Sequence, residues 1–418
     1  MKSPWGELQE LKGASTAQEE ENGVRQAFSN DVLERYSRQM LLLRFGVEGQ
    51  KRLSQKSVLV IGAGGLGCPA AMYLASAGVG RLGLLDRGDS VDRSNLHRQI
   101  GHTDASVGAD KCLSLRDSLM RINPGSSICT LSTGITAKFA LQLILPFDIV
   151  LDCTDNVESR YIISDACAAL RKPLVSGSAI GFEGQLSVYC DSEESPCYRC
   201  IFPSPPPPDC VGSCDTAGVL GPVPGVIGTM QAVEALKLAA EIEGAEVCSR
   251  RMVLYDGLSC ETRVIRLRSR SKTCRACGNP EDSSQRIVNP AEFDYGSFTL
   301  AGSCATPQST DQGRLRATAL LDKGRLKDAL CIDVRPKEQF DMCSIGGFQN
   351  IPITKLSKEL ITIQNRVGDK EIILICRRGV DSATAVSMMR KAGIENATDV
   401  IGGLDAWRQE CNPEFPTY

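Results

Sequence analysis

The segment KSVLVIGAGGLGCPAAMYLASAG, residues 56–78, decides the fold. Its apolar run reads as a buried strand, the run ends in Gly62-Ala-Gly64-Gly65-Leu-Gly67, and small apolar residues follow at helical spacing. Glycines between a strand and a helix allow a tight turn and bring backbone N–H groups and a helix N-terminus close to an anion. Asp86 closes the next apolar run, RLGLLD (81–86), where a carboxylate can accept from a ribose hydroxyl. These features predict a nucleotide site, although an NAD enzyme would share them.

Working outward, DIVLDCTD (148–155) and PLVSGSAI (173–180) add strands, spaced by helical stretches GADKCLSLRDSLMRIN (108–123) and SRYIISDACAAL (159–170). That alternation predicts a Rossmann-like α/β domain with a parallel-rich sheet and helices on both faces. After Gly184 the texture changes to QLSVYC, a Pro-rich loop, a long helix beginning near Pro224, and strands MVLYDGL and TRVIRLR. Residues 1–30 read as a polar tail, 31–282 as the first domain and 283–311, poor in apolar periodicity, as a linker. A smaller α/β domain, 312–418, follows, with CIDVRP and EIILIC as its clearest strands and SATAVSMMRKAG as a helix.

The chain has 418 residues, long enough for two or three domains, and its 47 Lys+Arg nearly balance 50 Asp+Glu. Bulk charge therefore calls for neither nucleic acid nor an anionic membrane. No stretch approaches the ~18 apolar residues that span a bilayer, and no signal peptide is evident, so a cytosolic protein is expected. Most of the 19 cysteines are then expected to be reduced thiols. Only His97 and His102 are present, which leaves little material for a catalytic triad and assigns the chemistry to Cys, Asp, Lys and Arg.

Cations separate ATP from a dinucleotide, because a triphosphate needs several compensating charges. Ser94-Asn95-Leu96-His97-Arg98-Gln99, Lys111 and Arg38 (in RYSRQ) offer such groups. Asp155 and Asn156 lie just past a strand end, where an Asp can hold Mg²⁺ on phosphate oxygens or a residue can cap the helix beginning near Val157; Asp152 is the competing carboxylate. Cys197-x2-Cys200 and Cys274-x2-Cys277 are two CxxC pairs, the usual supply for a tetrahedral Cys₄ structural zinc site, one Zn²⁺ per chain. A redox CxxC competes, but neither pair is expected to open a helix after a strand.

RYSRQ, GAGGLG, SNLHRQ, the Lys after GAD, CTDN, PCYRC and CRACG, in this order, resemble the ubiquitin-activating-enzyme-like adenylyltransferases that activate sulfur-carrier proteins. The likeness covers about residues 31–280 and implies adenylation of a partner's C-terminal glycine with release of pyrophosphate. It implies that Gly65 and Asp86 contact the nucleotide, that Asn95, Arg98 and Lys111 contact its phosphates, that Asp155 holds magnesium, and that Arg38 reaches the neighbouring subunit of a homodimer. RGDSVDR after Asp86 is one residue longer than the family spacing, which leaves Asp86 and Asp89 as alternatives for the ribose. The resemblance also selects Cys214 over the equally loop-borne Cys210 as a second reactive thiol.

Cys376 ends the strand EIILIC, and Arg377-Arg378-Gly379-Val380-Asp381-Ser382 then turns into a helix, an environment that favours a thiolate. A cysteine phosphatase would need Arg at 382, where Ser stands. The loop, with IDVRP (Asp333, Arg335) and GGLDAW (402–407), instead resembles a rhodanese over about residues 312–418, which implies a persulfide on Cys376. The fusion resembles the eukaryotic family that combines adenylyltransferase and sulfurtransferase in molybdenum cofactor synthesis and tRNA wobble-uridine thiolation. It implies ubiquitin-like carriers as partners (the small subunit of molybdopterin synthase and the ubiquitin-related modifier), a cysteine desulfurase or another sulfur donor, and no direct nucleic acid contact.

Overall fold

The computed structural model describes residues 4–6, 27–206, 218–281, 286–300, 313–368 and 370–416. Cys210 and Cys214 lie outside the described residues. The chain divides into two compact units, Met1–Ser303 and Cys304–Tyr418. Among the described residues no helix is long and apolar enough to cross a membrane.

The first unit is built on an eight-stranded sheet. Its strands are β1 (Ser57–Ile61), β2 (Arg81–Asp86), β3 (Ile128–Ser132), β4 (Ile149–Asp152), β5 (Leu174–Ile180), β6 (Glu183–Tyr189), β7 (Arg251–Asp256) and β8 (Glu261–Arg266). The order is β3-β2-β1-β4-β5-β6-β7-β8. The first five run parallel, and β6, β7 and β8 continue antiparallel. Chain order reverses between β1 and β4, so a crevice opens beyond their carboxyl ends, the usual ligand position in open α/β sheets.

Alternation along β1 explains why helices cover both faces. Val58 and Val60 join one core with helices Gly67–Ala77, Lys111–Ile122 and Pro222–Ala239. Leu59 and Ile61 join another with Ala140–Ile144 and Val157–Leu170. Helix Pro222–Ala239 is nailed to the sheet by Gln231, fully buried, whose Nε2 donates to Asp152 O (2.8 Å) and Val175 O (3.1 Å).

Two segments are more integrated than their composition suggests. Trp5, inside the expected polar tail, is buried, donates Nε1–H to Leu143 O at 3.1 Å and meets Phe147 edge-on. In the expected linker, helix Tyr295–Leu300 packs on the first unit: the Tyr295 hydroxyl donates to Asp165 Oδ2 at 2.7 Å, beside the buried Arg199–Asp165 ion pair. Phe293 and Phe298 lie against the Arg199 guanidinium. Sparse aromatic anchors, rather than periodic apolar residues, hold this stretch.

The second unit has a parallel sheet of β9 (Leu330–Asp333), β10 (Gln349–Asn350), β11 (Ile372–Ile375) and β12 (Ala397–Asp399), in the order β10-β9-β11-β12. Along β11, Ile372 and Leu374 enter one core and Ile373 and Ile375 the other, so β11 is buried on both faces. Helix Val380–Lys391 follows β11 directly.

Candidate active sites and metal centre

The glycine loop leaves β1 at the switch point. Gly62 has φ +105°, and a Cβ there would lie 2.6 Å from Cys153 O, so only glycine fits. Ala63 N–H donates to Asp86 Oδ2 at 2.8 Å, while Asp86 Oδ1 is buried without a partner among the described residues. Burial pushes the Asp86 carboxyl above its usual range, against the Ala63 amide and the Lys111 charge. A buried acceptor with nothing to accept, beside an anion-binding turn, fits a ribose hydroxyl. Asp89 is occupied differently, by Arg87 Nε at 2.6 Å and Lys111 Nζ at 3.5 Å; although partial burial opposes it, these cations hold its carboxyl below the usual range.

Two of the cationic groups, Arg98 and Lys111, lie near the same loop and its Asp86. A Cβ at Gly65 would meet Pro224 Cβ at 3.2 Å and Arg98 Cγ at 3.5 Å, so Arg98 and the start of helix Pro222–Ala239 flank it. The 93–98 segment is braced by Asp92 Oδ1, which accepts from Ser94 N–H (2.7 Å) and the Ser94 hydroxyl (2.5 Å). Asn95 and Leu96 are half-buried, and exposed His97 hydrogen-bonds Arg98 Nη1 at 2.8 Å. Lys111 opens its helix with a mostly buried side chain. No side chain caps the N-terminus of helix Gly67–Ala77, which leaves its dipole available to an anion. Arg38 is exposed on helix Asn30–Met40 and makes no hydrogen bond among the described residues.

The two competing carboxylates separate clearly. Asp152 is buried and saturated, its Oδ1 accepting from Thr154 N–H (3.0 Å) and Oγ1 (2.6 Å) and its Oδ2 from Ser176 Oγ (2.9 Å). Asn156 caps helix Val157–Leu170 by accepting from Ser159 N–H at 2.9 Å, so its side chain serves the helix. Asp155 is exposed and makes no hydrogen bond among the described residues, which suits a carboxylate kept for a cation. Two supports escape sequence reading. Buried His102 reaches Ala63 O (3.0 Å) and Ser114 Oγ (2.9 Å), and Arg160 Nη2 ties Thr154 O (2.8 Å) to Gly177 O (3.0 Å). Both act on backbone carbonyls, which leave no trace in a motif.

The four cysteines of the two CxxC pairs meet, with sulfurs 3.8 Å (Cys197–Cys200), 3.6 Å (Cys197–Cys274) and 3.3 Å (Cys200–Cys277) apart and all within 4.8 Å. A tetrahedral site with Zn–S of about 2.3 Å sets sulfurs about 3.8 Å apart, whereas a disulfide needs about 2.05 Å. The cluster therefore fits a closed metal site. Cys197 stands at the N-cap position of the four-residue helix Tyr198–Ile201 but makes no capping hydrogen bond, and β6 ends well before it, at Tyr189.

In the second unit Cys376 is buried at the end of β11, and Gly379, at φ +79°, donates its N–H to Cys376 Sγ at 3.1 Å. The Cys376 thiol donates to Ser382 Oγ at 3.4 Å, and Ser382 donates in turn to Asp399 Oδ2 at 2.8 Å. The GGLDAW segment secures the loop from outside: Leu404 and Asp405 N–H donate to Cys376 O and Arg377 O, both at 3.0 Å. Asp333 and Arg335 are spent on each other, with Arg335 Nε 2.9 Å from both carboxylate oxygens, so they brace the fold.

Comparison with known proteins follows this division. The ThiF family matches residues 36–276 and the rhodanese-like domain residues 316–410. A Zea mays protein named adenylyltransferase and sulfurtransferase MOCS3-2 is 45% identical over 400 residues, covering 93% of this chain and 81% of that one. Proteins named adenylyltransferase and sulfurtransferase MOCS3 from Arabidopsis thaliana (41%; 96% and 88% covered) and Drosophila yakuba (44%; 94% and 87%) are similarly related. Among solved structures, E. coli MccB with ATP shares the fold at 20% identity and TM-score 0.51, covering 58% of this chain and 73% of that chain.

Proposed function

We infer the working of each site from one premise: the chain belongs to the ThiF family and, over most of its length, to the MOCS3 adenylyltransferases and sulfurtransferases. It is a bifunctional enzyme that activates a ubiquitin-like carrier and transfers sulfur to it. The observation that carries the assignment of residues is one chain holding both a glycine-loop cradle with an orphaned Asp86 oxygen and a cysteine set in a loop amide.

In the first unit, ATP lies on the glycine loop beside Gly65, with Asp86 Oδ1 accepting from the ribose and Asn95, Arg98 and Lys111 taking the phosphates. Ser94, Leu96 and His97 shape that phosphate loop, Asn156 positions Asp155 through its cap, and Arg38 serves the site of a second copy in a homodimer. Asp155 would hold Mg²⁺, which neutralises phosphate charge when bound. A carboxylate oxygen of the carrier's terminal glycine attacks the α-phosphorus and pyrophosphate leaves. The resulting acyl-adenylate is reactive because AMP is a far better leaving group than oxide. Cys197, Cys200, Cys274 and Cys277 would hold one structural Zn²⁺, which adds folding free energy on the order of 10 kcal/mol where it closes such a site.

In the second unit, Cys376 carries the sulfur. The terminal sulfur of its persulfide attacks the acyl carbon, AMP leaves with the bonding pair, and an acyl disulfide forms. The Cys214 thiolate then attacks Cys376 Sγ, which releases the carrier thiocarboxylate and leaves a Cys214–Cys376 disulfide for an external thiol to reduce. A Cys214 thioester is the alternative route. No histidine base is required, since a persulfide is largely anionic at neutral pH. The carriers we propose are the small subunit of molybdopterin synthase and the ubiquitin-related modifier of tRNA thiolation, with a cysteine desulfurase as donor, in the cytosol.

Pyrophosphate exchange that depends on a carrier ending in Gly-Gly tests the first half. Mass spectrometry of the carrier after incubation with ATP and a sulfur donor tests the whole: one terminal oxygen replaced by sulfur is expected, and an unmodified carrier overturns the reading.

A further inference from the structure

The sulfur-bearing loop has a support that none of its motifs contains. Arg314 precedes the stretch that matches the rhodanese-like domain, and its guanidinium grips Asp399 with Nε to Oδ1 and Nη2 to Oδ2, both at 2.8 Å. The same Nη2 donates to Gly379 O at 2.7 Å. Asp399 and Gly379 are the two partners through which the loop addresses the sulfur: Asp399 holds Ser382, whose Oγ faces Cys376, and Gly379 aims its N–H at Cys376 Sγ. Arg314 is itself held in the sheet's frame. Leu315 N–H donates to Asp399 O and Ile401 N–H to Leu315 O, both at 2.8 Å, and Thr398 Oγ1 donates to Gly313 O at 2.8 Å.

We propose that Arg314, acting with Asp399, is a positioning residue for sulfur transfer: its fork locks Gly379 and Ser382 in the geometry that receives the Cys376 sulfur. The inference rests on the reading that Cys376 carries the sulfur. Its physical basis is that Asp399 and Ser382 are buried, Arg314 mostly so, and a planar fork satisfies a carboxylate and a carbonyl together where an ammonium cannot. Without the fork, the buried Asp399 carboxylate keeps the Ser382 hydroxyl but loses its guanidinium partner, and Gly379, no longer held at its carbonyl, can change φ and ψ and turn its N–H away from the sulfur. Arg378, Val380 and Asp381 form the exposed rim of the loop, where an anionic donor can approach, whereas the fork binds the buried Gly379 and Asp399. The loss should therefore fall on turnover and leave substrate capture alone.

The test is thiosulfate-to-cyanide sulfur transfer by the full chain, with melting temperature measured alongside. For Arg314→Met and Ser382→Ala, kcat is expected to fall about tenfold or more, as expected for losing a charge-assisted hydrogen bond, with KM for thiosulfate within about twofold. Arg314→Lys should recover only part of kcat, since it restores the charge without the bridge to Gly379 O. Wild-type kcat in Ser382→Ala, or full rescue by Arg314→Lys, overturns the proposal. If Arg314→Met does not fold, the Ser382→Ala result decides alone. Cys376→Ala serves as the separate control: retained transfer in that variant would overturn the underlying assignment of the sulfur to Cys376 instead.

Discussion

Ala63 donates its backbone N–H to one oxygen of Asp86 at 2.8 Å, and the other oxygen of that carboxylate is buried with no partner among the described residues. Burial raises the Asp86 pKa, so the folded protein binds a proton there more tightly than the unfolded chain does, and the ionised carboxylate destabilises the ligand-free state at neutral pH. Asp86→Asn removes that penalty. The ligand-free variant should melt no lower than wild type at pH 7, and its advantage should fade as pH falls from Asp86's folded pKa toward the ordinary carboxylate value. Its ATP affinity should drop about tenfold or more for the lost charged hydrogen bond. Calorimetric titration with ATP beside a melting series over pH checks both; a variant that melts lower yet binds ATP normally contradicts the assignment.

Gly62 makes the turn possible through its positive φ and its approach to the Cys153 carbonyl. Gly62→Ala should cost about 1–3 kcal/mol of backbone strain, plus the displacement of Cys153 O by the new methyl group. A urea midpoint indistinguishable from wild type would mean that the turn is looser than described.

The glycine turn, the strands around it and the cysteine pairs were legible because their signals are local: a period, a glycine spacing, a pair of thiols. What escaped was set by partners far away in the chain. Trp5 docks on Leu143, and Tyr295 on Asp165, from segments whose composition reads as solvated. Strands β3, β10 and β12 carry little signal, since β3 is only half-buried and β10 and β12 span two and three residues, and helix Ile353–Val367 buries only Leu356, Ile363 and Val367. The choice between Asp152 and Asp155 could not be read from LDCTDN, because it depends on Ser176 arriving from the neighbouring strand.

Tyr295 tests the docked segment. Its hydroxyl is one of two donors to a buried carboxylate, the other being Arg199, and Tyr295→Phe removes it without changing the ring. The expected loss is about 1.5–3 kcal/mol, the range for hydrogen bonds to charged groups. Protease cleavage within residues 286–300 should speed up accordingly, read by mass spectrometry of the fragments. Unchanged cleavage and stability would show that the aromatic contacts to Arg199 suffice.

The cysteine cluster predicts one tightly held zinc per chain by elemental analysis. Stripping it with a strong chelator should lower the melting temperature and uncouple carrier adenylation, because the site ties the Cys197 loop to the chain near Cys274. Thiosulfate-to-cyanide transfer should survive, since Cys376 lies in the other compact unit. Cys197→Ser should reproduce the chelated state. Metal-free protein that melts and adenylates like wild type would argue for four ordinary thiols.

The two half-reactions should separate by mutation. Cys376→Ala removes the sulfur carrier and leaves every residue of the glycine-loop cradle in the other compact unit unchanged, so carrier-dependent pyrophosphate exchange should stay near wild type while thiocarboxylate disappears. Asp155→Ala removes an exposed carboxylate that no described residue uses for a hydrogen bond, so stability should hold within about 0.5 kcal/mol, as for surface substitutions. Exchange should fall by about a hundredfold or more if that carboxylate positions the metal, in line with losing a group that stabilises transition-state charge. Thiosulfate-to-cyanide transfer should be untouched. Joint loss of both activities in either folded variant would mean that the chemistry is not divided between two sites.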